Sequence, residues 1–87
     1  LAARGDLEDR LQPLCEKVAR KLREKGWATR VVQLKLKTAD FRLRTRRRTL
    51  PVPTQTARTL YACARDLLTP ELGPAYRLIG VGAVDLI

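Results

Sequence analysis

The sequence contains no histidine and no methionine, and only one tryptophan, one phenylalanine, two tyrosines and two cysteines in 87 residues. Without histidine, base duty would fall to carboxylates, thiols or lysines. No nucleophile–base pair or glycine-rich phosphate loop accompanies them, so the chain reads as non-catalytic. There is no CxxC pair, which leaves a structural zinc site without ligands. Cys15 and Cys63 each sit among apolar residues of a helical pattern, which favours free core thiols in a reducing compartment over a disulfide. No apolar run approaches the roughly 18 residues of a membrane-spanning helix, and nothing resembles a signal peptide. The few aromatics, Trp27, Phe41, Tyr61 and Tyr76, form no basic–aromatic–basic pattern. The stacking platforms of single-strand binders and an aromatic RNA-binding strand are therefore missing.

Negative charge is also scarce. Nine acids face 18 lysines and arginines, giving a net charge of +9 and a pI near 10.6. That balance implies a polyanionic partner, nucleic acid ahead of an anionic membrane surface. The length supports a single domain, residues 1–87, with one modest core. Lacking methionine and opening in mid-pattern at Leu1-Ala2-Ala3, the chain reads as a piece of a larger protein.

What is present centres on residues 30–50, RVVQLKLKTADFRLRTRRRTL. Apolar and basic residues alternate there with period two, the pattern of strands with one buried face. Val32, Leu34 and Leu36 fall on one side, and Gln33, Lys35 and Lys37 on the other. After a turn at Thr38-Ala39-Asp40 the pattern resumes. Phe41, Leu43 and Thr45 are expected on the oily side, with Arg42, Arg44, Arg46 and Arg48 on the cationic side. Two such runs joined by a short polar loop form a hairpin. Arg30, Lys35, Lys37, Arg42, Arg44, Arg46, Arg47 and Arg48 face one acid in this stretch, Asp40.

Before the hairpin, Asp6 suits an N-cap and Leu7, Leu11, Leu14, Val18 and Leu22 recur at helical spacing, widened by Cys15 and Ala19. Gly26 fits a left-handed stop. Pro13 predicts a start near Gln12 or a bend. After the hairpin, Leu50-Pro51-Val52-Pro53 must be extended and unsuited to a central strand. Thr54 is expected to cap a second helix with the stripe Ala57, Leu60, Ala64 and Leu67. A loop from Thr69-Pro70 to Gly73-Pro74 precedes a last strand, AYRLIGVGA. The fold class is α+β: a mostly antiparallel sheet of three to four strands with two helices on one face. Its order is a split β-α-β arrangement whose first strand is largely missing, cut off or poorly formed before Asp6.

The row Arg42, Arg44, Arg46, Arg48 is the sharpest functional signal. A solvated face is the plain alternative, but such a face mixes signs, and uncompensated like charges across strands destabilise a sheet. Phosphates would supply the missing charge, and arginine suits bidentate phosphate contact. Arg47 has the parity of the oily face, which predicts that the strand ends or bulges there. Thr45 and Thr49 can donate hydroxyls to phosphate or simply favour a strand. Gly80 and Gly82 share one parity in the last strand. They mark a ligand's close approach, a bulge or a tight pack. Arg77 lies within reach of the same face.

VVQLKLKTADFRLRTRRRTLPVPT, followed after a helix by AYRLIGVG, resembles the little finger domain of Y-family translesion DNA polymerases, in particular the bacterial polymerase IV branch. The helix LQPLCEKVARKLREKG is similar too, and the likeness covers residues 6–86. It implies a four-stranded sheet backed by two helices, tethered to catalytic palm, fingers and thumb domains. The open sheet face would lie along the primer-template duplex and grip phosphates without sequence preference. The resemblance places Thr45, Arg46, Arg48 and Thr49 on the family's T-R-x-R-T strand, and Arg77, Gly80 and Val81 on its R-L-x-G-V strand. Arg47 departs from the small residue common there.

The resemblance further implies no cofactor in this segment, with Mg2+ confined to a separate catalytic domain of a nucleotidyltransferase. It implies a sliding clamp as a partner of the parent protein, a bacterial cytoplasmic, nucleoid-associated setting, and a role in DNA repair. The full set of candidate DNA contacts is Lys35, Lys37, Arg42, Arg44, Thr45, Arg46, Arg47, Arg48, Thr49, Arg77, Gly80 and Gly82. Two rival readings remain: an RNA-binding or ribosome-associated α+β domain, and a protein-interaction domain pairing through an open sheet edge.

Overall fold

The computed structural model describes residues 4–87. Helix α1 (Arg4–Lys25) leads into strand β1 (Thr29–Thr38), which is followed by β2 (Leu43–Thr54), helix α2 (Ala57–Leu68), a 3-10 turn (Thr69–Glu71) and β3 (Tyr76–Leu86). The sheet order is β2-β1-β3, with both pairings antiparallel. This is the expected α+β architecture. The expected partial first strand falls on residues 1–3, outside the described residues, and on Arg4 and Gly5, which are helical.

Helix α1 buries Leu7, Leu11, Cys15, Ala19 and Leu22, one stripe at three- and four-residue steps. Asp6 lies in its first turn rather than at a cap. Pro13 sits inside a helix that continues on both sides of it, so the helix does not start near Gln12. The ring is exposed, and the Asp9 carbonyl that loses its partner belongs to an exposed residue, where water can satisfy it. Gly26 (φ 69°) ends the helix as expected, its N–H donating to the Arg23 carbonyl while the Trp27 N–H donates to that of Leu22. The cap of α2 is Thr56, not Thr54: its hydroxyl accepts from the Thr59 N–H, while Thr54 accepts from the Thr56 N–H. Leu60, Cys63, Ala64 and Leu68 are the buried stripe of α2.

Between the helices and the sheet, Val32, Leu34 and Leu36 are fully buried, with Ile79, Val81 and Ala83 of β3 packed against the same cluster. Cys15 and Cys63 are free thiols in this core. Burial, with Cys63 and Glu16 adding, pushes the Cys15 thiol up to about 11. It therefore stays protonated and inert near neutral pH. Among the described residues no helix is long and apolar enough to cross a membrane.

The second strand departs from expectation. Its connection to β1 is four residues, 39–42, with Phe41 in the left-handed region (φ 70°). Pairing then begins at Lys37 with Leu43 and proceeds through Leu36–Arg44, Leu34–Arg46 and Val32–Arg48. Directly paired residues share a face. Arg44, Arg46 and Arg48 therefore point to the helix side, and Leu43, Thr45 and Arg47 to the open side, opposite to the expected assignment. Leu43 is 66% exposed and Phe41 61%, whereas Leu50, with the parity of the three arginines, is buried. The physical reason is register: one residue of slip in a hairpin turns every side chain to the other face. Nor does β2 end at Arg47. It runs on to Thr54, and its irregularity falls later, where residues 50–53 carry the extra length between the Val31–Thr49 and Thr29–Thr54 pairs. Two prolines are tolerated there because β2 is an edge strand.

This register is open to direct test. Leu34→Ala should lower unfolding stability by about 2–5 kcal/mol, whereas Leu43→Ala should stay within about 0.5 kcal/mol, both read by urea titration. Equal losses at the two positions would return Leu43 to the core and contradict the pairing.

Candidate nucleic-acid interface

The open face is built on β1, whose outward residues Val31, Gln33, Lys35 and Lys37 form its middle column. Their partners complete four rows: Leu43–Lys37–Leu78, Thr45–Lys35–Gly80, Arg47–Gln33–Gly82 and Thr49–Val31–Val84. No carboxylate stands in any of them. Among the described residues Lys35 and Arg47 join no ion pair, and they lie diagonally across one strand pair, at about 7–8 Å. Their charge is left to solvent or to a ligand.

Gly80 and Gly82 fall on this open face. Pairing with β1 is regular through both, so neither is a bulge. A Cβ at Gly80 would meet the Lys35 Cβ at 3.9 Å, and one at Gly82 the Gln33 Oε1 at 4.0 Å. These are ordinary contacts, so tight packing does not demand glycine either. What the two glycines do is keep the β3 side of the face low, so that its backbone is approachable next to the lysine column.

Arg44, Arg46 and Arg48 meet a different environment. Glu71, buried in the 3-10 turn, holds Arg46 Nη2 at 3.1 Å and Arg44 Nη1 at 3.6 Å on the same Oε1. Asp66 of α2 holds Arg48 Nη1 at 3.2 Å. The Tyr76 hydroxyl donates to the Glu71 carbonyl and fixes the turn from below. Arg44, Arg46 and Arg48, expected to lack acids, are therefore partly neutralised by two acids from beyond the hairpin. The guanidiniums remain about half exposed at the rim of an edge strand. Arg42 pairs with Asp40 at 3.4 Å in the hairpin loop. The Thr38 hydroxyl, and then the Arg42 charge, hold the Asp40 carboxyl below its ordinary range. Arg77 stands at the same end of the sheet, its guanidinium 3.9 Å from the centre of the Phe41 ring.

The structure thus gathers Lys35, Lys37, Thr45, Arg47, Thr49, Gly80 and Gly82 on one face. It sets Arg42 and Arg77 at the hairpin end and turns Arg44, Arg46 and Arg48 to the other side. Among the described residues no group of three or more histidine, cysteine, aspartate or glutamate side chains could hold a metal ion.

Over residues 1–87 the chain matches the impB/mucB/samB family C-terminal domain. It belongs to that family. It is 60% identical over 88 residues to DNA polymerase IV of Caulobacter vibrioides, covering 100% of this chain and 22% of that protein. It is 47% identical over 87 residues to DNA polymerase IV of Brucella melitensis, covering 99% and 20%. A mouse relative, DNA polymerase kappa, is 38% identical over 61 residues, 70% of this chain and 7% of that protein. The chain spans about a fifth of the length of the bacterial relatives, and the little finger likeness of its hairpin and last strand holds.

In this little finger domain, sequence reading put Gln33 on the open side but Leu43 on the oily one, and did not nominate Glu71 and Asp66 as partners of the arginines. The available signal was Leu50, an apolar residue with the parity of Arg44, Arg46 and Arg48. Glu71→Gln should lower stability by about 1–3 kcal/mol, because it strips the charge from a buried group that two guanidiniums share. Asp66→Asn, at an exposed pair, should cost less than about 1 kcal/mol. Urea midpoints measure both, and a neutral Glu71→Gln would show that Arg44 and Arg46 are not anchored there.

Proposed function

We propose that the chain is a non-catalytic, sequence-independent binding domain for duplex DNA, the accessory domain of a translesion DNA polymerase. The observation that supports this most is the open sheet face: lysines and an arginine without a single acid, beside two glycines that keep the backbone low. Lys35, Lys37 and Arg47 supply the field, Thr45 and Thr49 donate hydroxyls, and the β3 backbone at Gly80 and Gly82 comes close to the ligand. Arg44, Arg46 and Arg48 form a secondary, partly neutralised rim. Phosphate contacts of this kind hold and orient a duplex without reading its sequence. The nucleotidyl transfer, its Mg2+ and any sliding-clamp contact belong to other parts of the parent protein, in a bacterial cytoplasm where the substrate is the nucleoid. That two bacterial relatives carry the name DNA polymerase IV supports this assignment.

Fluorescence anisotropy on primer-template DNA, single-stranded DNA and duplex RNA, across a salt series, tests it. If three to four phosphates are neutralised, log K against log salt should slope at about −3 to −4 on duplex DNA of any sequence. Arg47→Ala should weaken all duplexes alike and make the slope shallower by about one. Arg46→Ala should change the slope less, since Glu71 already offsets that charge. A preference for duplex RNA would favour an RNA-binding domain instead. Dimerisation without nucleic-acid affinity would favour pairing through a sheet edge.

A further inference from the structure

The exposed ring of Phe41 organises two cations that belong to different strands. Phe41 closes the hairpin in a left-handed conformation, outside the core and 61% exposed, so hydrophobic burial does not account for an aromatic there. Arg77, from the start of β3, lies over its ring with the guanidinium carbon 3.9 Å from the centroid. Lys37, from the end of β1, lies over the same ring with its ammonium at 5.5 Å. Two cations beside one ring repel each other, and the attraction of each to the ring offsets part of that repulsion. The nearest acid in sequence, Asp40, is engaged by the Thr38 hydroxyl and by Arg42. Among the described residues neither Lys37 nor Arg77 has a carboxylate partner. The exposed Leu43 and Leu78 flank Lys37, so the last row of the open face carries no other charge.

We propose that Lys37 and Arg77, held together on the Phe41 ring, form a two-cation site for one backbone phosphodiester at the hairpin end of the open face. This rests on the duplex-binding reading above and deepens it. Phe41 is a positioning residue: it touches no phosphate, but sets the guanidinium beforehand and spares the ordering that a free arginine would undergo on binding. The site is distinct from the central Lys35–Arg47 diagonal and marks where one strand of the duplex crosses the end of the sheet.

The test compares Phe41→Leu with Phe41→Trp in the same chain, by anisotropy on duplex DNA and by NMR of the arginine side chains without DNA. In the wild type and in Phe41→Trp the Arg77 Nε–H signal should carry a ring-current shift, which Phe41→Leu should abolish. Phe41→Leu should weaken duplex binding by about two- to fivefold, the size of an exposed cation–π contact. Phe41→Trp should keep the affinity, and in an Arg77→Ala background Phe41→Leu should have little further effect. An unchanged affinity in Phe41→Leu, or an undiminished loss in the Arg77→Ala background, overturns the inference while duplex binding itself stands. A wild-type chain that does not bind duplex DNA overturns both.

Discussion

Burying Val32, Leu34 and Leu36 commits the central strand to one orientation, and the placement of every other side chain in the sheet follows from it. These residues are fully buried beneath two helices, so β1 cannot turn over without exposing its whole apolar set. Its neighbours then inherit their faces through pairing. With Lys37 opposite both Leu43 and Leu78, even-numbered residues from Arg44 to Leu50 go inward, and so do Ile79, Val81 and Ala83. The open face is what remains: lysine, arginine, glutamine, threonine and glycine in its middle rows, leucine and valine toward its ends, and no acid.

That constraint also explains where charge is matched and where it is not. The helix side of β2 overhangs the core, and three arginines there would be costly without partners. Glu71 and Asp66, contributed by the segment after the hairpin, meet them. Among the described residues no such partners reach Lys35 and Arg47 on the other side. One strand thus carries two kinds of cation, one offset within the domain and one left for an outside polyanion.

Much of this was legible in the sequence. The helical stripes, the Gly26 stop, the order of elements, the inward set of β1 and the open-face position of Gly80 and Gly82 all follow from local periodicity. The orientation of β2 did not, because Phe41 and Leu43 imitate the alternation of a buried face. The true register depends on one extra loop residue and on Phe41 taking a positive φ, which propensity does not favour outside glycine, asparagine and aspartate. The pairing of Arg44 and Arg46 with Glu71 was likewise hidden, since the acid lies some 25 positions away and is brought near only by the 3-10 turn after α2. Local patterns set elements; register and long-range ion pairs needed the fold.

In the proposed binding mode the open face, and not the arginine rim or either helix, meets the duplex. Mapping backbone amide shifts while titrating duplex DNA tests it most directly. The largest changes are expected at Gln33, Lys35, Arg47, Gly80 and Gly82, with Arg58 and Arg65 of α2 and Lys17 and Arg20 of α1 nearly still. Largest changes along either helix, with the glycine rows unmoved, would contradict it.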